Sequence, residues 1–213
     1  MPRYGMIIQI DRCAGCFSCQ VACKEENKVA PGIFYERIHR EENPEAMVVN
    51  WFRVSCMHCD EQACMPICPA KAIYRGPAGE VLVDHEKCIG CTMCAMACPY
   101  GAPMFNRSGR TSYFGDREPL QIVDLEPWQK HRKGRAEHCT LCTHRTSKGR
   151  PPACVEACGI GALTWVDYDN PTEKTAPLIV QILPDAYVGD QRFIHSGKDL
   201  YSPSKPKRLA MSC

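Results

Sequence analysis

The 213-residue chain lacks the features of a chain that enters or crosses a membrane unaided. Its first ten residues, MPRYGMIIQI, hold no apolar leader segment and no small-residue cleavage site. Arg3 has no second arginine beside it, so there is no twin-arginine pair. The longest apolar stretches, such as residues 178–183, fall far short of the roughly 20 residues that span a bilayer. The expectation is a chain with no export signal and no transmembrane helix of its own. Patterns for substrate chemistry are missing too. There is no glycine-rich dinucleotide fingerprint after a strand, no P-loop, no G-x-S-x-G elbow and no H-E-x-x-H pair. Nor is there an excess of one charge, with 26 Lys and Arg against 24 Asp and Glu.

Cysteine is what the chain has in excess: 17 residues, about 8 %, at the edge of the range that marks a cysteine framework. Seventeen prolines and 15 glycines add many turns and imply short elements. Disulfides, zinc and iron–sulfur clusters compete for so many thiols. Disulfide scaffolds are usually short and secreted, which the missing leader argues against. Sixteen of the cysteines fall into four groups of four. They are Cys13, Cys16, Cys19 and Cys23; Cys56, Cys59, Cys64 and Cys68; Cys88, Cys91, Cys94 and Cys98; and Cys139, Cys142, Cys154 and Cys158. Every group opens with C-x2-C and closes with C-x3-C. Groups one and three share C-x2-C-x2-C-x3-C, while groups two and four lengthen the middle gap to four and eleven residues. The repeat continues beyond the ligands: QIDRC at 9–13 aligns with DHEKC at 84–88, and CPAKA at 68–72 with CPYGA at 98–102 and CGIGA at 158–162. This reads as four related half-modules making two two-cluster modules.

Three cysteines spaced x2, x2 sit on one tight loop and can surround one face of a cubane cluster. The fourth, three residues on, starts a helix that leads away and suits a neighbouring cluster, as in two-cluster ferredoxins. Pro69 and Pro99 supply the proline that follows the last cysteine of that pattern; Lys24 and Gly159 do not. One C-x2-C pair would suit zinc as well as iron, but zinc needs no third cysteine at x2, so iron–sulfur clusters are favoured. His58, His138 and His144 lie near the ligands and read as hydrogen-bonding or surface residues, because each group already has four cysteines. Cys213 is left over and reads as an incidental exposed thiol. Arg12, Lys24, Lys71, Lys87, Arg145 and Lys148 also lie near the ligands. Each alone reads as a solvated charge; as a set they are expected to raise cluster potentials, by favouring the more negative reduced form. With four protein ligands per cluster no iron is open to substrate, so the clusters carry electrons and substrate chemistry belongs to another chain. Each oxidised [4Fe–4S] core with four thiolates is roughly −2, so four add about −8 to a formal +2, which makes nucleic acid an unsuitable partner.

Regular structure is expected to be sparse. Strands are predicted at 4–10, 51–55 and 163–166, and a hairpin from 72–74 and 80–83. Short helical turns are predicted near 19–25, 94–97 and 154–157. The segments 24–50 and 107–137 break the repeat. The proline-rich tail reads as an extended strap on a surface.

The stretches CAGCFSCQVACKEEN at 13–27, CIGCTMC at 88–94, CTLCTHR at 139–145 and PACVEAC at 152–158 resemble the four-cluster ferredoxin-type beta subunits of the dimethyl sulfoxide reductase superfamily. The likeness runs from about residue 4 to 171. It implies an α+β fold of two interleaved bacterial-ferredoxin-like two-cluster modules, with small sheets, short helices and long loops. The expected division is 1–50 with 135–170 as one module, 51–106 as an inserted one, 107–134 as a linker and 171–213 as a subunit-contacting tail. Carried over by motif position, cluster one takes Cys13, Cys16, Cys19 and Cys158; cluster two Cys139, Cys142, Cys154 and Cys23; cluster three Cys88, Cys91, Cys94 and Cys68; and cluster four Cys56, Cys59, Cys64 and Cys98. Cys91 stands where nitrate reductase relatives have Trp and a three-iron cluster, which implies a complete cubane here. The family's usual proline after the last group-four cysteine is Gly159. The resemblance implies a non-catalytic electron-transfer subunit. Cluster one faces a molybdenum or tungsten bis-pterin subunit, and cluster four a membrane anchor, quinone site or other carrier. The chain would be cytoplasmic, or carried across a membrane in a folded complex, and peripheral to it. A relay subunit of a hydrogenase- or formate-linked complex, a free polyferredoxin and a zinc-bound interaction module are the alternatives.

Overall fold

A computed structural model describes residues 3–44, 47–110, 113, 127–129, 131–176 and 193–196. Most of the expected 107–134 linker and 171–213 tail, with Cys213 and the apolar stretch 178–183, lies outside these residues. The fold is α+β, with small sheets and short helices. In chain order the elements are β1 (Tyr4–Gln9), α1 (Ser18–Asn27), β2 (Glu36–Asn43), β3 (Val48–Ser55), β4 (Ile73–Arg75), β5 (Val81–Val83), α2 (Met93–Ala97), β6 (Met104–Phe105), β7 (Ala136–Glu137), α3 (Thr143–Thr146), α4 (Ala153–Glu156), β8 (Leu163–Asp167) and β9 (Phe193–Ser196). Single 3-10 turns follow β1 at Ile10–Arg12 and precede β7 at Pro127–Gln129.

In β1 the residues Met6, Ile7 and Ile8 are all buried, so both faces of the strand are covered. It is the middle strand of a sheet ordered β8-β1-β9. The β8 pairing is antiparallel, from Tyr4 opposite Asp167 to Ile8 opposite Leu163. The β9 pairing is parallel, from Met6 opposite Phe193 to Gln9 opposite Ser196. Part of the tail read as a strap is thus a strand on the chain's own sheet.

A second difference from the sequence reading is β2. Its sequence, ERIHREEN, is charged and has no strand-like alternation, yet it pairs along its whole length with β3. The hairpin's far end exposes Val49, while Phe52, Arg53, Val54 and Ser55 near its base are buried on both faces. β3 crosses the 50/51 boundary expected between modules. β4 and β5 form the predicted hairpin, and β6 pairs with β7 over two residues.

Two cores follow from this layout. The larger joins Met6, Ile8, Val29, Ile33, Phe52, Val54, Leu141 and Leu163 to Cys23, Cys139 and Cys154. The smaller joins Ala72, Ile73, Val81 and Ala136 to Cys88 and Cys94. In both, thiols are part of the packed interior.

Candidate functional site

Each cysteine group is shaped by left-handed residues at matching places. The residue before the second cysteine has positive φ in all four groups: Gly15 (63°), His58 (48°), Gly90 (73°) and Leu141 (54°). The third residue after the last cysteine does so in three: Lys71 (48°), Gly101 (57°) and Gly161 (65°). Such alternations turn successive amides inward and make concavities suited to anionic groups. At two of these positions an added methyl would also meet a neighbour, a side chain at one and backbone at the other. A methyl on Gly15 would enter the Trp51 indole, and one on Gly90 would meet the Gly134 carbonyl oxygen.

Amides reach the sulfurs directly. Ala72 N–H lies 3.3 Å from Cys68 Sγ and Ala102 N–H 3.4 Å from Cys98 Sγ, at equivalent repeat positions. Ala136 N–H donates to Cys88 Sγ and Leu141 N–H to Cys139 Sγ, both at 3.4 Å. Asn27 Nδ2 donates to Cys23 Sγ at 3.7 Å. N–H···S bonds stabilise a thiolate and are a recognised control on cluster potential.

The sixteen predicted ligands are all free thiols, and Cys16 and Cys91 are exposed. One pocket brings Cys23 together with Cys139, Cys142 and Cys154, and is lined also by Met6, Tyr35 and Arg53. Another brings Cys68 together with Cys88, Cys91 and Cys94 beside Ile73 and Phe105. For the other two groups the electrostatic neighbours tell a similar story. Cys19 feels Cys13 and Cys158, and Cys64 feels Cys98, Cys59 and Cys68. Cys56 feels Cys139 from the larger core most among the thiols, then Cys98 and Cys64. Cys154 likewise feels Cys19, across from its own pocket.

Burial first, and neighbouring thiolates second, push these thiols up. Cys64 and Cys94 rise to about 11. Cys142 also rises to about 11. Cys154 rises to about 12 although Arg53 opposes the shift. Thiols this buried and crowded ionise together only beside a cationic partner. A cubane of iron and sulfide supplies one, and its preference for four cysteines matches each pocket's donors.

The three nearby histidines are engaged in hydrogen bonds. His58 is fully buried, and its Nδ1 accepts the Val81 N–H at 2.9 Å. His138 Nδ1 lies 2.8 Å from the Cys139 carbonyl, and burial holds its pKa down. His144 Nε2 meets Glu26 Oε1 at 2.8 Å, with the Trp128 ring stacked on the imidazole. Among the cations expected near the ligands, Arg145 is buried, bonded to Glu26, Glu156 and the Pro151 carbonyl. Arg12 donates to the Ile160 carbonyl at 2.9 Å, in the turn after Cys158. Lys24 donates to the carbonyls of Ala30 and Ile33.

The sequence reading missed Arg53 and Glu36. They form an ion pair, 2 % and 1 % exposed, between β3 and the start of β2. An arginine inside a short strand gives no sequence sign of burial. Only the pairing of β3 with β2 brings the carboxylate to it.

Pockets of free cysteines in repeated C-x2-C loops, lined with N–H···S donors and closed by apolar side chains, define an iron–sulfur electron-transfer protein. Comparison with known proteins agrees. The 4Fe-4S dicluster domain model matches residues 47–113 and 117–168. One of the chains of the anaerobic dimethyl sulfoxide reductase of Shigella flexneri is 33 % identical over 196 residues, covering 87 % of this chain and 84 % of that one. The arsenate respiratory reductase iron-sulfur subunit of a Shewanella species is 31 % identical over 225 residues, 90 % of this chain and 95 % of its own. One of the subunits of the selenate reductase of Mesobacillus selenatarsenatis is 36 % identical over 188 residues, 82 % of this chain and 63 % of its own. This protein belongs to the [4Fe–4S] dicluster family of iron–sulfur subunits within the dimethyl sulfoxide reductase superfamily.

Proposed function

We propose that this chain is the electron-relay subunit of a molybdenum- or tungsten-containing reductase, and that it holds four [4Fe–4S] clusters in two interleaved modules. Bound clusters supply one-electron carrier chemistry; the protein supplies ligands, amide donors and a dry surround. The ligand sets are Cys13, Cys16, Cys19 and Cys158; Cys139, Cys142, Cys154 and Cys23; Cys88, Cys91, Cys94 and Cys68; and Cys56, Cys59, Cys64 and Cys98. The observation that carries this reading is the pocket lined by Cys23 with Cys139, Cys142 and Cys154, the first more than a hundred residues in sequence from the other three. The matching pocket of Cys68 with Cys88, Cys91 and Cys94 supports it at the second module. We divide the modules as 1–50 with 135–170, and 51–106, but keep β3 with the first module because Phe52 and Val54 pack into the larger core.

Partners follow from the relatives, which are named as parts of dimethyl sulfoxide, arsenate and selenate reductases. We place the catalytic subunit at the first group, where Cys16 is exposed and Phe17, Val21 and Ile160 present apolar surface. The opposite terminus of the relay, at the second group, serves a membrane anchor, quinone site or other carrier. Among the described residues no helix is long and apolar enough to cross a membrane.

Electron paramagnetic resonance on single variants of the reduced holoprotein tests the ligand sets. Cys158→Ser and Cys16→Ser should remove one and the same signal, and Cys23→Ser and Cys142→Ser another. If Cys158→Ser and Cys142→Ser abolish the same signal, each group closes its own cluster and the interleaving is wrong. Intact protein should hold about sixteen iron and sixteen acid-labile sulfide per chain. Stoichiometric zinc in their place would overturn the reading.

A further inference from the structure

We propose that the buried Arg53–Glu36 pair sets the reduction potential of the cluster bound by Cys154, with Arg53 raising it and Glu36 holding it back. The inference rests on the proposed cluster function, but not on which cysteines share a cluster with Cys154.

Arg53 occupies a particular place. Its Nη2 lies 3.9 Å from Cys154 Sγ, within hydrogen-bonding reach of sulfur. Nη1 donates to Ser55 Oγ at 3.1 Å and contacts Met6 Sδ at 3.6 Å. Nε faces the Glu36 carboxylate. One guanidinium thus touches both a cluster ligand and a carboxylate, in the wall of the pocket that holds Cys23, Cys139, Cys142 and Cys154. A guanidinium is not deprotonated in proteins, so Arg53 is cationic at every working pH.

A fixed positive charge next to a ligand favours the form carrying one more electron, and in a dry site the effect is screened far less than at the surface. The cations expected to tune the clusters differ from it. Lys87 is exposed and paired with Asp84, and Arg145 is tied to two carboxylates. Arg53 alone among these bonds a ligand sulfur in the described structure. Glu36 meets Nε and Cys154 meets Nη2 of the same guanidinium, so the carboxylate offsets part of the positive charge that faces the sulfur. Buried pairs are in general weak contributors to stability, so stability alone does not account for this one. Cys19 feels the same arginine, so the neighbouring cluster should respond too, by a smaller amount.

The test is potentiometric titration of the purified holoprotein, followed by electron paramagnetic resonance and read on the signal that Cys154→Ser removes. Arg53→Gln should lower that midpoint and Glu36→Gln should raise it, each by at least tenfold in the reduction equilibrium, about 59 mV for a one-electron couple. Arg53→Lys, which keeps the charge, should recover most of the loss. The signal removed by Cys91→Ser should not move. If the Arg53 variants lose iron, Glu36→Gln decides alone, because it keeps Arg53 and its bond to Cys154. Unmoved midpoints in iron-replete protein, or shifts of one sign in both variants, would overturn the proposal. Neither result would touch the relay function, which stands or falls on the iron count and the cysteine pairings.

Discussion

At the scale of single residues, a few backbone positions carry as much of the site as the thiols do. Gly15 and Gly90 occupy the same place in their loops, but they meet different neighbours. Gly15 faces the Trp51 side chain, which can swing, whereas Gly90 faces the Gly134 backbone carbonyl, which cannot. An added methyl at either also pays for a left-handed φ, about 1 kcal/mol. Gly90→Ala should therefore empty the third group and bring iron from about sixteen to about twelve per chain, while Gly15→Ala should leave most of its cluster in place. Iron analysis of the two variants checks this; equal losses would mean the carbonyl contact is unimportant. The four cysteine groups stand out in the sequence by their repeated spacing, which does not depend on the fold around them. The tuning groups do not. His58 and Leu141 take the glycine's left-handed role without a glycine to mark it, and Arg53 reads as one more strand cation until β2 is seen beside it.

At the scale of elements, the sequence predicted the pieces that are locally encoded. The strand at 4–10 became β1 and a 3-10 turn, the β4–β5 hairpin formed around its Gly-Pro-Ala-Gly loop, and the helical turns expected near 19–25, 94–97 and 154–157 are α1, α2 and α4. The elements it missed depend on distant partners. β2 has too many charges to suggest a strand and is held by its ladder with β3. β9 is a parallel addition to β1 that no local pattern announces. The β9 pairing changes what removing the tail should do. Cutting the chain after residue 176 strips one edge from β1, which keeps β8 on its other side. Iron should stay near its full count, the melting temperature should fall because the β1 edge loses its ladder, and co-purification with the catalytic subunit should weaken. Loss of iron on truncation would show that 177–213 helps build the pockets.

At the scale of the whole molecule, the interior is organised around sulfur. Cys23, Cys139 and Cys154 lie within the larger core and Cys88 and Cys94 within the smaller. Removing metal should therefore unfold the protein, because burying these thiols without a cationic partner has little apolar packing to offset it. Loss of amide dispersion in chelator-stripped protein checks this; native-like dispersion would contradict it. The pocket that joins Cys23 to Cys139, Cys142 and Cys154 also bears on how the protein is made. A ribosome releases the chain from its N-terminus, so the first group emerges early yet, on the proposed ligand sets, waits for cysteines near the other end. The groups at 56–68 and 88–98 are complete long before. Biogenesis would then run from the middle outward, with the inserted module loaded first and the N-terminal thiols kept reduced, and in need of protection, until synthesis is nearly done. A chain stopped at residue 134 should accordingly hold about eight iron, with Cys13, Cys16, Cys19 and Cys23 open to alkylation.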